Sequence, residues 1–86
     1  MKYAGIDLHS NNCVVCVIDE NDRVLAKKRV GNDLLRIVEV LDSHRPQLCG
    51  VVVESTYNWY WLVDGLQEMG FVVHLANVCE IGRAHV

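Results

Sequence analysis

The hydrophobic pattern changes period several times along the chain, and each change marks an element. Residues 2–7 run through Tyr3-Ala4-Gly5-Ile6 and end on a carboxylate, Asp7, before the polar stretch His9-Ser10-Asn11-Asn12. Residues 13–19 are rich in the Val and Ile that strands prefer. The polar stretch between them is short enough for a tight turn, so the two runs read as an antiparallel hairpin. Glu20-Asn21-Asp22 supplies a second turn and residues 23–30 a third strand, completing a meander. Lys27, Lys28 and Arg29 in that third strand suit a sheet edge, where charge discourages further pairing.

After Gly31-Asn32-Asp33 the period becomes helical. Leu34, Ile37, Val38 and Leu41 fall on one face, Arg36, Glu39 and Asp42 face away, and Asn32 or Asp33 is placed to cap the first turn. Pro46 forbids continuation. Residues 48–54 contain Val51-Val52-Val53 without polar alternation, which predicts a strand covered on both faces, and they end on a second carboxylate, Glu54. Ser55 or Thr56 is then expected to cap a second helix, striped by Trp59, Leu62, Val63, Leu66 and Met69 and closed by Gly70. Residues 71–76 read as a fifth strand.

The pattern predicts an α/β fold. The fourth strand runs parallel to the first and third, and the charges on the third make the first its better neighbour. Two right-handed crossovers through the helices then give a mixed five-stranded sheet of order 3-2-1-4-5. In that order the first and fourth strands lie side by side with their C-terminal ends together, about 4.8 Å apart. Asp7 and Glu54 both sit at those ends. Helices leaving the sheet in opposite senses are expected to open a crevice there.

Composition narrows the function classes. The 86 residues make at most one small domain, 51% hydrophobic and 22% charged, which is globular. So large an apolar share in so short a chain points to surface meant for parts of a longer protein. A formal net charge of -3 is unlike a stand-alone nucleic-acid binder and calls for help from metal ions or another domain. No apolar run approaches a membrane span and no signal peptide is visible, so a cytoplasmic location with reduced thiols is expected.

Two carboxylates at one strand spacing repel each other unless a cation lies between them. Their hard oxygens suit Mg²⁺ or Mn²⁺, and such ions activate an attacking oxygen and stabilise a leaving one in phosphodiester chemistry. Asp7 and Glu54 are therefore the candidate metal-binding and catalytic residues. Taken singly, each is an ordinary polar residue at a strand end, and only the joint placement carries the reading.

Tyr3-Ala4-Gly5-Ile6-Asp7-Leu8-His9, Val53-Glu54-Ser55-Thr56 and Val73-His74-Leu75-Ala76-Asn77 together resemble the start of the DEDD insertion-sequence transposases, the IS one-ten family. The resemblance covers residues 2–78. It implies an RNase H-like domain similar to Holliday-junction resolvases, with Asp7 and Glu54 as the first two members of an acidic tetrad. It further implies an Asp pair on a helix beyond the fifth strand, and a separate serine-bearing C-terminal domain. DNA is the implied substrate, a structured guide RNA and further copies of the protein the implied partners. On this basis residues 1–79 are expected to be the N-terminal part of a catalytic domain, inactive by itself. Residues 80–86, Glu80-Ile81-Gly82-Arg83-Ala84-His85-Val86, depart from the family and resemble a translated sequencing adapter, so they are expected to be a nonbiological tail.

Other signals have a bland reading beside a functional one. Cys13 and Cys16 match C-x-x-C, yet residues three apart in a strand point to opposite faces, which favours small apolar thiols over a metal site. His9, two residues past Asp7, is either a solvated turn residue or a contact to metal or phosphate. Lys27 and Lys28, with Arg29 beside them, are either a solvated edge or phosphate contacts. Tyr60 and Trp61 fall partly off the apolar stripe, as candidates for stacking on unpaired bases or for plain packing. Two other functions compete with the transposase reading. A sugar-kinase or actin-like ATPase fragment would also open on a strand, an Asp and a hairpin, but expects a glycine-rich turn where this chain has His9-Ser10-Asn11-Asn12. A noncatalytic interaction module is the other.

Overall fold

The computed structural model describes residues 1–55 and 58–76. Strand β1 spans Lys2–Leu8, β2 Asn12–Asp19, β3 Val24–Gly31, β4 Leu48–Glu54 and β5 Val73–Ala76, with helix α1 at Leu34–Asp42 and α2 at Tyr60–Glu68. They form one five-stranded sheet of order β3-β2-β1-β4-β5, as the pattern predicted. β1 pairs antiparallel with β2, β2 antiparallel with β3, and β4 lies parallel between β1 and β5.

Local chemistry explains the corners. At the first hairpin the His9 N–H donates to the Asn12 carbonyl at 2.9 Å. At the second, Asp22 takes a φ of 63°, and Asp19 Oδ1 accepts from Asn21 N at 2.8 Å and Arg23 N at 3.0 Å. The bond from Arg23 N is the main cause holding the Asp19 carboxyl below its ordinary range. That support is complete above the ordinary carboxylate range and is lost as pH falls through the depressed value. Asp33 caps α1 by accepting from Leu35 N at 3.0 Å.

Helix α2 starts later than its sequence suggested. Its N-cap position is Trp59 rather than Ser55 or Thr56, and Asn58 ahead of it has a φ of 46°. Ser55 is buried, and its N–H instead extends the β4–β5 pairing to the Ala76 carbonyl at 3.3 Å. Thr56 lies outside the described residues. The far end behaves as predicted. Gly70 takes a φ of 91°, its N–H bonds to Gln67 O, and the Phe71 N–H reaches back to Leu66 O, each at 3.0 Å. This is the Schellman arrangement, which only glycine enters without strain.

Arg45 reinforces that end. Its guanidinium donates to the Met69 carbonyl and lies 4.2 Å from the centre of the Phe71 ring. Arg45→Ala is expected to lower stability by about 1–2 kcal/mol, the scale of a charged hydrogen bond with a cation–π contact. A urea titration reads this directly, and an unchanged midpoint would show the clamp to be idle.

The core departs from expectation. Ala4, Ile6, Leu8, Cys13, Val15, Val17, Val51 and Val53 are buried together with Ile37, Val38 and Leu41 of α1 and Leu62, Val63 and Leu66 of α2. Both helices therefore cover one face of the sheet. They also approach each other closely: a Cβ built on Gly65 would lie 2.6 Å from Leu34 Cδ2. The helices were expected to leave in opposite senses and β4 to be covered on both sides; instead Val52 is 42% exposed. The reason is topological. The steps β3 to β4 and β4 to β5 run in the same direction across the sheet, and two crossovers of one hand that step the same way lie on the same face. Among the described residues no element covers the second face.

Candidate active site

Strand alternation decides what stands on the open face. Core residues of β1 are Ala4, Ile6 and Leu8, so Tyr3, Gly5 and Asp7 point the other way. On β4 the core takes Val51 and Val53, leaving Val52 and Glu54 on the open face. Asp7 and Glu54 are register partners on adjacent parallel strands. The sequence placed these two carboxylates together, and the structure does the same.

They border a groove of about 430 Å³ lined by Gly5, Ile6, Asp7, Val14, Cys16, Lys27, Arg29, Val52 and Glu54. Its floor is small and apolar, with carboxylates on one side and cations on the other. Asp7 Oδ2 also lies 3.2 Å from His9 Nε2, both side chains being about half exposed. So exposed a pair contributes little to stability, but it does orient one carboxylate oxygen. Asn32 Nδ2 donates to the His9 carbonyl at 2.8 Å, tying the β1–β2 turn to the start of α1.

The remaining sequence candidates separate. Lys27 lines the groove. Lys28 pairs in register with the buried Val15 and so lies on the helix side of the sheet. Arg29, named only as a neighbour of the two lysines, lines the groove with Lys27; period-two alternation applied to β3 was the signal that distinguishes them. Trp61 is half-buried against the core and borders a small cleft of about 30 Å³ with Leu8, His9, Ser10, Asn32 and Asn58. Tyr60 is 60% exposed and stacks on Trp59 with ring centres 4.2 Å apart.

The cysteines divide as alternation requires. Cys13 is fully buried on the helix side, where burial pushes its thiol pKa up, while Cys16 is on the groove side. Cys49 is exposed, and Cys79 lies outside the described residues. Among the described residues no group of three His, Cys, Asp or Glu side chains is arranged to hold a metal ion. No helix among them is long and apolar enough to cross a membrane.

A sequence profile described as transposase, for the DEDD type of IS110 elements, matches residues 4–85. The chain belongs to the DEDD transposase family. The match runs into the segment 80–86 that was set apart as a tail, and that segment lies outside the described residues. No curated protein matches the transposase chain. Among solved structures it is similar to Thermus thermophilus RuvC in complex with a Holliday junction substrate, at 21% identity and a TM-score of 0.70, covering 98% of this chain and 69% of that one. A second T. thermophilus RuvC structure gives 24% identity and a TM-score of 0.65, with 90% of this chain and 62% of that one covered. A ROK family protein from Streptococcus pneumoniae in complex with sucrose is more distant, at 17% identity and a TM-score of 0.54, covering 90% of this chain and 34% of that one. These likenesses establish the RNase H-like fold of the transposase chain.

Proposed function

We propose that this chain is the N-terminal part of a transposase catalytic domain that cleaves and transfers DNA strands with a divalent metal, and that Asp7 and Glu54 hold the metal. One observation carries the reading: in a member of a transposase family, two carboxylates stand as register partners at the ends of adjacent parallel strands, on the rim of an open groove. The donor set fits Mg²⁺ or Mn²⁺, being two exposed hard-oxygen groups one strand spacing apart. Bound there, such an ion supplies activation of the attacking oxygen and charge stabilisation of the leaving one. The chain's own contribution is to fix the two carboxylates on rigid strand ends, with His9 holding one oxygen of Asp7 in place.

Two carboxylates fill only part of an octahedral shell. The resemblance assigns the rest to an Asp pair beyond β5, so the 86-residue chain alone is expected to be inactive. Purified chain with Mg²⁺ and supercoiled or junction DNA should give no cleavage above a metal-free control. Robust cleavage by the chain alone would contradict the proposed division of the site. A guide RNA and self-assembly belong to the same reading and rest on the family resemblance, while a cytoplasmic location rests on the sequence pattern alone. Residues 80–86 are assigned no part in it.

The alternative of a sugar-kinase or actin-like ATPase fragment shares with this chain only the fold seen in the ROK family protein. Against it stands the turn after Asp7, which holds no glycine and is closed on itself by the His9-to-Asn12 bond. Saturable ATP binding by the chain would favour that alternative.

A further inference from the structure

We propose that Lys27 and Arg29, and not Lys28, form a phosphate-binding wall for a DNA strand lying across the open face of the sheet. The proposal rests on the reading of this groove as the site of DNA cleavage. Register is its first support. Glu54, Asp7, Val14 and Arg29 form one row across four neighbouring strands, and Val52, Gly5, Cys16 and Lys27 form the next. The two cations thus stand two strand spacings, about 10 Å, from the β1 residues of their rows. Their side chains lean over the same groove that the carboxylates border. Lys28, between them in sequence, belongs to the other face.

Charge is the second support. The chain carries -3 overall, but in the groove Asp7 and Glu54 are matched one for one by Lys27 and Arg29. A polyanion approaching this face meets a neutral surface, and one with a net charge of +2 once the carboxylates share a divalent ion. Among the described residues neither cation is paired with a carboxylate. Arg29 spends one donor on Asn12 Oδ1, at 3.1 Å, out of the five a guanidinium carries. Both side chains are exposed, so donors are available to phosphate oxygens.

Relief is the third. Val14 and Cys16 of β2 lie between cations and carboxylates, and Gly5 and Val52 complete the groove floor, none of them long. A Cβ on Gly5 would meet nothing within 4 Å, so the middle of the groove is clear for a sugar-phosphate backbone.

The test is binding of a fluorescein-labelled oligodeoxythymidine to the 86-residue chain in Mg²⁺, followed by anisotropy across a salt series. Lys27→Gln and Arg29→Gln should each weaken binding several-fold and reduce the log–log salt slope by about 0.7, the value for one contact to a single strand. Arg29→Lys should keep most of the slope, and Lys28→Gln should leave affinity and slope near those of the parent chain. Circular dichroism confirms that each variant is folded. Equal losses for all three cations, no loss for Lys27 and Arg29, or no binding by the parent chain would each overturn the proposal. Its failure is separable from failure of the cleavage reading. Asp7→Asn with Glu54→Gln abolishes cleavage by the full-length transposase if the cleavage reading holds and leaves it intact if that reading fails, whatever the cations do to binding.

Discussion

Asp7→Ala and Glu54→Ala are each expected to abolish DNA cleavage by the full-length transposase while leaving the domain folded. Each substitution removes one of two hard-oxygen ligands that stand as register partners and leaves the other without a shared cation. The ion's stabilisation of the transition state is worth several kcal/mol, so the loss should be on the order of 10³-fold or more in rate. Stability should move by less than about 0.5 kcal/mol, because both side chains are exposed at strand ends and, among the described residues, the one ion pair lost is the half-exposed one from Asp7 to His9. Asp7→Asn and Glu54→Gln keep the shape and remove the charge, and they should fail equally. Cleavage assays with a thermal melt on each variant separate the two effects. Cleavage at the parent rate by any of them would end the metal proposal.

The candidate site was legible because its two carboxylates end strands that sequence alone could order. The charges on β3 exclude it as a neighbour of β4, which leaves β1, and with that choice Asp7 must meet Glu54. The end of α2 was legible for a similarly local reason, since only Gly70 could take the conformation found there. Its start was not: Ser55, Thr56 and Asn58 all have cap chemistry, yet Asn58 enters the left-handed region and the cap position falls to Trp59, a type that announces no cap. The open face was missed because three successive valines carry no information about which face is covered. Val51 and Val53 are buried under the helices, while Val52 between them borders the groove. Topology contained the answer, since both crossovers step the same way. The same oversight hid the sorting of Lys27 and Arg29 from Lys28, which follows once the open face is known.

That one-sided sheet makes neighbouring valines respond in opposite ways to the same substitution. Val53→Asp is expected to unfold the chain. Val53 is fully buried beside Ile6, under the helix layer, and a carboxylate there would lose its hydration with no cation in reach. The effective penalty for such a buried charge is several kcal/mol. A domain of this size has only about 4–13 kcal/mol of stability in total, on the usual scale per residue. Val52→Asp should be folded, with a loss of about 1 kcal/mol or less, since its side chain is 42% exposed on the groove floor and a carboxylate there stays in water. Far-ultraviolet circular dichroism and urea titration of the two variants decide the matter. If both unfold, the face bearing Asp7 and Glu54 is packed against something in the chain as it exists in solution, and no nucleic acid could lie across it. If Val53→Asp is the tolerated one, the helices cover the opposite face, and the groove with its cations would have to be reassigned along with them.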